Sequence, residues 1–382
     1  MEMKVFMRRL ICQCPHLSGR YMITESRHKA APTGKGNDFH RWASACLVTL
    51  IWVDSDNAAQ CKHWSCLMVV FSLFLGLAVF PFTSFGSEIV SIENDTLRVS
   101  INSRGAELWS IRHKESDTEY MWQGDPDYWV NRAPVMFPVN VRFKDNCFTY
   151  KGSSYEIPKM GMAVYSDFEV EKSRDGKSVV FLLRSNEETH KRYPFDFVFK
   201  VIYRLKGNRL TNEFTIENEG GDTMYFATGG HPGFNCPFVD GRDRSDYQIS
   251  FSRKLSVKRS KIADSLIQKT EVPFLNNEDS FTLDDSRIPN GGMFQKDMKA
   301  RKISIGRTGE APYLTLDLGD FPNVNLWSPP GMPFVCIEPM VSHHDLQDSP
   351  MDIEEKSYLI SLESGRAKRY AFSVIVNHNG TL

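Results

Sequence analysis

From Glu88 onward, apolar residues recur at every second position, and that rhythm limits what the chain can fold into. Leu97, Val99 and Ile101 alternate with Arg98, Ser100 and Asn102, and Ser103-Arg104-Gly105 then supplies a turn. Phe195, Phe197, Phe199, Val201, Tyr203 and Leu205 repeat the pattern, Lys206-Gly207-Asn208 turns the chain, and Leu210, Asn212, Phe214 and Ile216 run back. Residues 370–376 (YAFSVIV) read as a last strand. Successive side chains of a strand point to opposite faces, so this alternation, bounded by Gly/Asn turns, marks half-buried strands. Helical periodicity is not sustained, and residues 259–267 are expected to form one short helix. The chain has no Gly-rich phosphate loop, no heptad array and no repeat of 20–50 residues. Many strands with few helices predict an all-β fold, a large antiparallel β-sandwich, as one domain over residues 88–380.

Charge excludes two classes of partner. The net charge is −1 and no long Lys/Arg run occurs, so neither a nucleic acid nor an anionic membrane surface is expected as a partner. Five of the eight cysteines lie in the first 66 residues. The widely spaced trio Cys147, Cys236 and Cys336 forms neither a disulfide framework nor a zinc site, and is expected as buried free thiols.

The front of the chain is unlike the rest. Residues 67–82 read LMVVFSLFLGLAVFPF, about the length of a signal-peptide core and short for a membrane span. Ser84-Phe85-Gly86 has small residues where a signal peptidase prefers them, so cleavage is expected after Gly86 and the protein is expected to be exported, to the periplasm or the exterior. The alternative is an uncleaved membrane anchor over residues 67–83. Residues 1–66 show no periodicity and are expected not to be a native folded domain, with the true start near Met68.

Three segments carry chemistry. Gly229-Gly230-His231-Pro232-Gly233-Phe234-Asn235 sets a histidine in a stiff loop whose glycines allow close backbone approach. Such a histidine suits acid–base work near neutrality, or is a structural loop residue bonded to backbone. Phe334-Val335-Cys336-Ile337-Glu338-Pro339 places a lone carboxylate at the end of an apolar strand. Desolvation there raises its pKa and makes it a better base, unless it is a salt-bridged edge residue. The segment 119–142, with Trp122, Tyr128, Trp129, Arg132 and Arg142, offers aromatic faces and forked donors, or simply a packed aromatic corner.

The order and spacing of RGAELWSI (104–111), EYMWQGDPDYW (119–129), APVMFP (133–138), YPFDF (193–197), GGHPGFN (229–235) and FVCIEP (334–339) resemble the bacterial aldose 1-epimerase (galactose mutarotase-like) family. Within it they resemble the branch of lactose-operon-associated mutarotase-like proteins. The matches span nearly all of residues 95–375. The resemblance implies a β-supersandwich that interconverts the α and β anomers of a free aldose. By the same resemblance His231 is the general acid, Glu338 the general base, and Arg142 a holder of sugar hydroxyls. Asn235, Met160 and Trp327 complete the expected substrate-binding set. Proton transfer alone suffices for this chemistry, so no cofactor and no metal is expected, and the partner is a small-molecule sugar.

The chain departs from the family's pattern in places. A His-Gly-Phe-Ala-Arg run is here Met160-Gly161-Met162-Ala163-Val164, the Gly before Arg142 is Val141, and the Trp after the IEP motif is Met340. These changes predict a softer, more apolar cleft. They also keep open a non-catalytic carbohydrate-binding protein of the same fold. A hexose-6-phosphate epimerase would need an Arg cluster for the phosphate. His343-His344-Asp345 does not read as a metal site, because neighbouring strand residues face opposite ways; one of them is instead a candidate to line the sugar pocket.

Overall fold

The computed structural model describes residues 87–239, 241–288 and 292–377. The extension 1–66, the apolar stretch 67–82 and the expected cleavage after Gly86 lie outside the described residues. Strands Ile89–Glu93, Leu97–Asn102 and Glu107–His113 form a small antiparallel sheet. In Leu97–Asn102, Leu97, Val99 and Ile101 are buried while the residues between them are not, as the alternation requires.

Fifteen further strands join in one antiparallel sheet. One part is a meander. Strand Phe197–Lys206 turns through Gly207-Asn208 into Arg209–Asn218, which pairs in turn with Ala367–Val376. Another part carries Gly229–Gly230, Phe334–Met340, Asn323–Trp327 and Met293–Gln295 side by side. The two parts enclose a core in which Phe197, Phe199, Phe214 and Phe372 from the first meet Leu326, Val335 and Ile337 from the second. Phe137 stacks on Phe199 with centroids 4.6 Å apart. A Cβ at Gly230 would lie 2.9 Å from the Phe372 ring, so glycine lets the two parts close on one another. The expected large antiparallel β-sandwich is the observed architecture.

The expected helix at 259–267 is wrong. Those residues form the end of a hairpin, Tyr247–Ala263 paired with Leu266–Thr282. Asp264 (φ 51°) and Ser265 (φ 60°) make a two-residue turn of the mirror-image type that suits strand twist. The outer half of this hairpin leaves the core, so Lys258, Lys261 and Ala263 are exposed. With most of both faces uncovered there is no sustained apolar alternation to read. Among the described residues the α-helical segment is the single turn Glu187–His190, capped by Asn186, and no helix is long and apolar enough to cross a membrane. Cys236 and Cys336 are buried free thiols and Cys147 is a half-buried one.

Candidate active site

Strand Phe334–Met340 is buried at every position. Val335 and Ile337 face the main core. The opposite face, with Phe334, Cys336, Glu338 and Met340, is covered by something else. Gly229 pairs with Met340, and Gly233 with Cys336. These pairings lie on one continuous count, which puts His231 directly opposite Glu338. The ladder is interrupted there, beside Pro232, whose nitrogen has no hydrogen to donate. The Pro134 carbonyl accepts from the His231 backbone N–H at 2.9 Å. His231 Nε2 thus comes within 3.3 Å of Glu338 Oε1. On the other side Asn325, opposite Glu338 in the next strand, donates from Nδ2 to the same oxygen at 2.8 Å. The strand continues through Pro339 to Met340, so Glu338 lies inside it rather than at its end.

Two small apolar clusters, separate from the main core, flank the pair along this face. One joins Phe334 and Cys336 to Trp122, Trp129, Trp327 and Met332. Its rings touch the histidine: Trp129 lies 5.0 Å from the His231 ring centroid and Trp327 5.6 Å, nearly edge-on. Gly233 makes room for this, since a Cβ there would stand 3.1 Å from Trp129 Cζ3. The other cluster joins Met340 to Met136, Phe294 and Ile267, with Val141, Met160 and Leu346 against it. The hairpin tip closes over that end, where Ile267 N donates to the Asp345 carbonyl at 2.8 Å.

Burial sets the protonation of the pair. Glu338 is wholly inaccessible and the His231 side chain is 11% exposed. Desolvation lowers the His231 pKa to about 4. It raises that of Glu338 well above the ordinary carboxylate range, against a smaller opposing effect of the Asn325 hydrogen bond. The 3.3 Å approach alone suggests an ion pair, but in so dry a site the uncharged form is favoured. Glu338 Oε2 and His231 Nδ1 have no hydrogen-bond partner. Burial thus favours a single proton shared by the pair, and two of its four polar atoms are uncommitted.

The expected residues divide into two sets. His231, Glu338 and Trp327 come together, and Met160 lies in the second apolar cluster. Asn235 donates from Nδ2 to the Glu119 carbonyl at 3.0 Å. Arg142 reaches the hairpin tip, donating to the Asp264 carbonyl at 2.9 Å and to Asn146 Oδ1 at 3.1 Å, rather than to the pair. Arg132 is committed to the Trp109 carbonyl and Gln123 Oε1. Of the 343–345 run, Asp345 is held by buried Lys356 at 2.8 Å, His343 stacks on Tyr358, and His344 lies beside Phe294. Asn325 was missed by sequence reasoning; its signal is an asparagine in the middle of an apolar strand, where a polar group needs a partner. Trp129 was noticed only as part of an aromatic segment.

Known proteins share this fold. The family model described as aldose 1-epimerase matches residues 88–370. Protein LacX (plasmid) of Lactococcus lactis subsp. lactis is 30% identical over 297 residues, covering 72% of this chain and 99% of that protein. The crystal structure of a galactose mutarotase related enzyme from Lactobacillus acidophilus superposes with a TM-score of 0.72 at 32% identity, covering 76% of this chain and 98% of the other. A galactose mutarotase-like protein from Lactobacillus casei gives a TM-score of 0.67 at 28% identity, over 76% of this chain and all of the other.

Proposed function

The chain belongs to the aldose 1-epimerase family, and from that premise we propose that it interconverts the α and β anomers of a free aldose by acid–base ring opening. The observation that carries the proposal is the buried His231–Glu338 pair at 3.3 Å, with Oε2 and Nδ1 unpartnered. Glu338 takes the proton of the C1 hydroxyl while His231 gives one to the ring oxygen. The ring opens to the aldehyde, the C1–C2 bond rotates, and closure with the two roles reversed yields the other anomer. A resting pair with its proton on Glu338 reaches the working arrangement, with the proton on His231, by one internal transfer. Total charge is unchanged, so no exchange with solvent is needed. Trp129 and Trp327 exclude water and offer flat faces to the sugar.

One observation favours a second reading. Met160 and Val141 make the wall beyond Met340 apolar, and that suits a protein that binds a sugar without turning it over. Optical rotation of freshly dissolved α-D-glucose and α-D-galactose decides between the two. Faster equilibration by the wild type, lost in Glu338→Gln, supports the epimerase. Sugar binding measured by calorimetry with no acceleration supports the binding protein. Residues 67–86 are proposed as an export signal, or as a retained anchor if the mature N-terminus precedes them.

A further inference from the structure

Asn140 is fully buried, and neither its Oδ1 nor its Nδ2 has a hydrogen-bond partner. Buried amides are otherwise hydrogen-bonded with few exceptions, and an orphaned one costs stability that a substrate can restore. Its position is informative. Asn140 Oδ1 lies 3.2 Å, and Met136 Cε 3.1 Å, from where a Cβ on Gly229 would stand. Gly229 pairs with Met340, two residues along the strand from Glu338. Two residues of strand span about 6.7 Å, the reach of a pyranose whose anomeric carbon lies at Glu338. Gly229, having no side chain, lets the amide come this close to the strand that carries His231. Around it the wall is apolar, made by Met136, Met340, Phe294 and Met160, and Met160 N donates to the Val141 carbonyl at 2.7 Å, one residue from Asn140.

We propose that Asn140 is a specificity-determining sugar contact, its amide accepting from one ring hydroxyl and donating to the neighbouring one at the end of the sugar remote from C1. An amide has a donor and an acceptor side by side, which matches a vicinal diol. The proposal rests on the reading of His231 and Glu338 as the place where the anomeric carbon sits.

The test compares the full-length wild type with Asn140→Leu, which keeps the branched shape and heavy-atom count but removes the donor and the acceptor. A panel of aldoses that includes 3-deoxy and 4-deoxy analogues is followed by polarimetry and calorimetry, with a thermal melt of each protein. The expected result is a rise in KM and Kd of about tenfold or more with kcat within about threefold, and a Tm unchanged or raised. Deoxygenation should weaken binding to the wild type but not to the variant. Equal Kd values for the two proteins, or an equal penalty for the deoxy sugars in both, overturn the proposal. So does a fall in Tm without an affinity change, which would make the amide structural. If the wild type binds sugars without turnover, the epimerase reading fails alone and the Kd comparison still decides Asn140. If it binds none of the panel, both readings fall.

Discussion

His231 and Glu338 are an opposed cross-strand pair. The count that joins Gly229 to Met340 and Gly233 to Cys336 passes through them, at the centre of the gap from Gly230 to Pro232 where the ladder is open. Cross-strand partners have Cβ atoms about 5 Å apart, so the sheet itself holds the two side chains in register. It follows that the two act as a unit. Glu338→Gln and His231→Asn are each expected to lower kcat by about 10²–10⁴-fold, and the double variant to be little worse than either single one. Polarimetry on the three proteins checks this. Losses that multiply in the double variant would show that the groups work independently.

The pH dependence follows from burial. A second proton on the pair creates a buried imidazolium, and removal of the shared proton leaves a buried carboxylate supported by Asn325. Both are disfavoured. His231 is lowered to about 4 and Glu338 is raised, so the singly protonated pair persists between those limits. Turnover is lost on the acid side as pH falls toward 4, and on the alkaline side only above the ordinary carboxylate range. The profile of kcat/KM should be flat from about pH 5 upward through the ordinary carboxylate range, with its alkaline limb above that range. An acid limb centred near the ordinary histidine value would mean that His231 is solvated in the free protein.

Those two residues were readable in the sequence because each stands in a distinctive local setting, a Gly-Gly-His-Pro loop and a carboxylate in an apolar run. Strands with one buried face were readable for the same kind of reason: Leu97–Asn102 alternates because only one side is covered. The outer hairpin was misread because neither of its faces is well buried. Asn325 and Asn140 were missed because their roles depend on which strand lies beside which, and the pairing of Asn325 with Glu338 is a fact of topology. The partners of Arg142 were not readable either, since they depend on where a hairpin tip some 120 residues later folds back to supply the carbonyl it binds.

Gly233 holds the aromatic wall against His231. A Cβ at this position would meet Trp129 Cζ3 at 3.1 Å, the Arg132 carbonyl at 3.3 Å and Trp122 Cβ at 3.3 Å. The backbone atom cannot yield as easily as a side chain, so Trp129 must shift from its 5.0 Å contact with His231. Gly233→Ala is expected to cost about 1–3 kcal/mol of stability by overpacking, to change tryptophan fluorescence, and to lower kcat more than it raises KM. A variant with wild-type emission and kcat would show that the wall does not position the histidine.

The loop after Met340 is anchored at a distance from the chemistry. Lys356 and Asp345 are both inaccessible, with Nζ 2.8 Å and 3.0 Å from the two carboxylate oxygens. Lys356 also donates to the Pro350 carbonyl, and Asp345 accepts from Lys144 N at 2.7 Å and from the Tyr358 hydroxyl. Through its backbone the same aspartate donates to the Arg142 carbonyl and accepts from Ile267 N, so one residue ties together the Arg142 segment, the hairpin tip and the 343–358 loop. Removing one partner leaves an uncompensated buried charge. Lys356→Met should therefore destabilise the protein by about 3–5 kcal/mol, read as a lower midpoint in urea. Lys356→Met with Asp345→Leu should recover part of that loss, because no charge is then stranded, although the hydrogen bonds from Lys144 N and the Tyr358 hydroxyl are then lost as well. Equal midpoints for the single and double variants would show that the cost lies in lost packing around the Phe143 ring, over which Lys356 sits at 4.7 Å, rather than in the orphaned carboxylate.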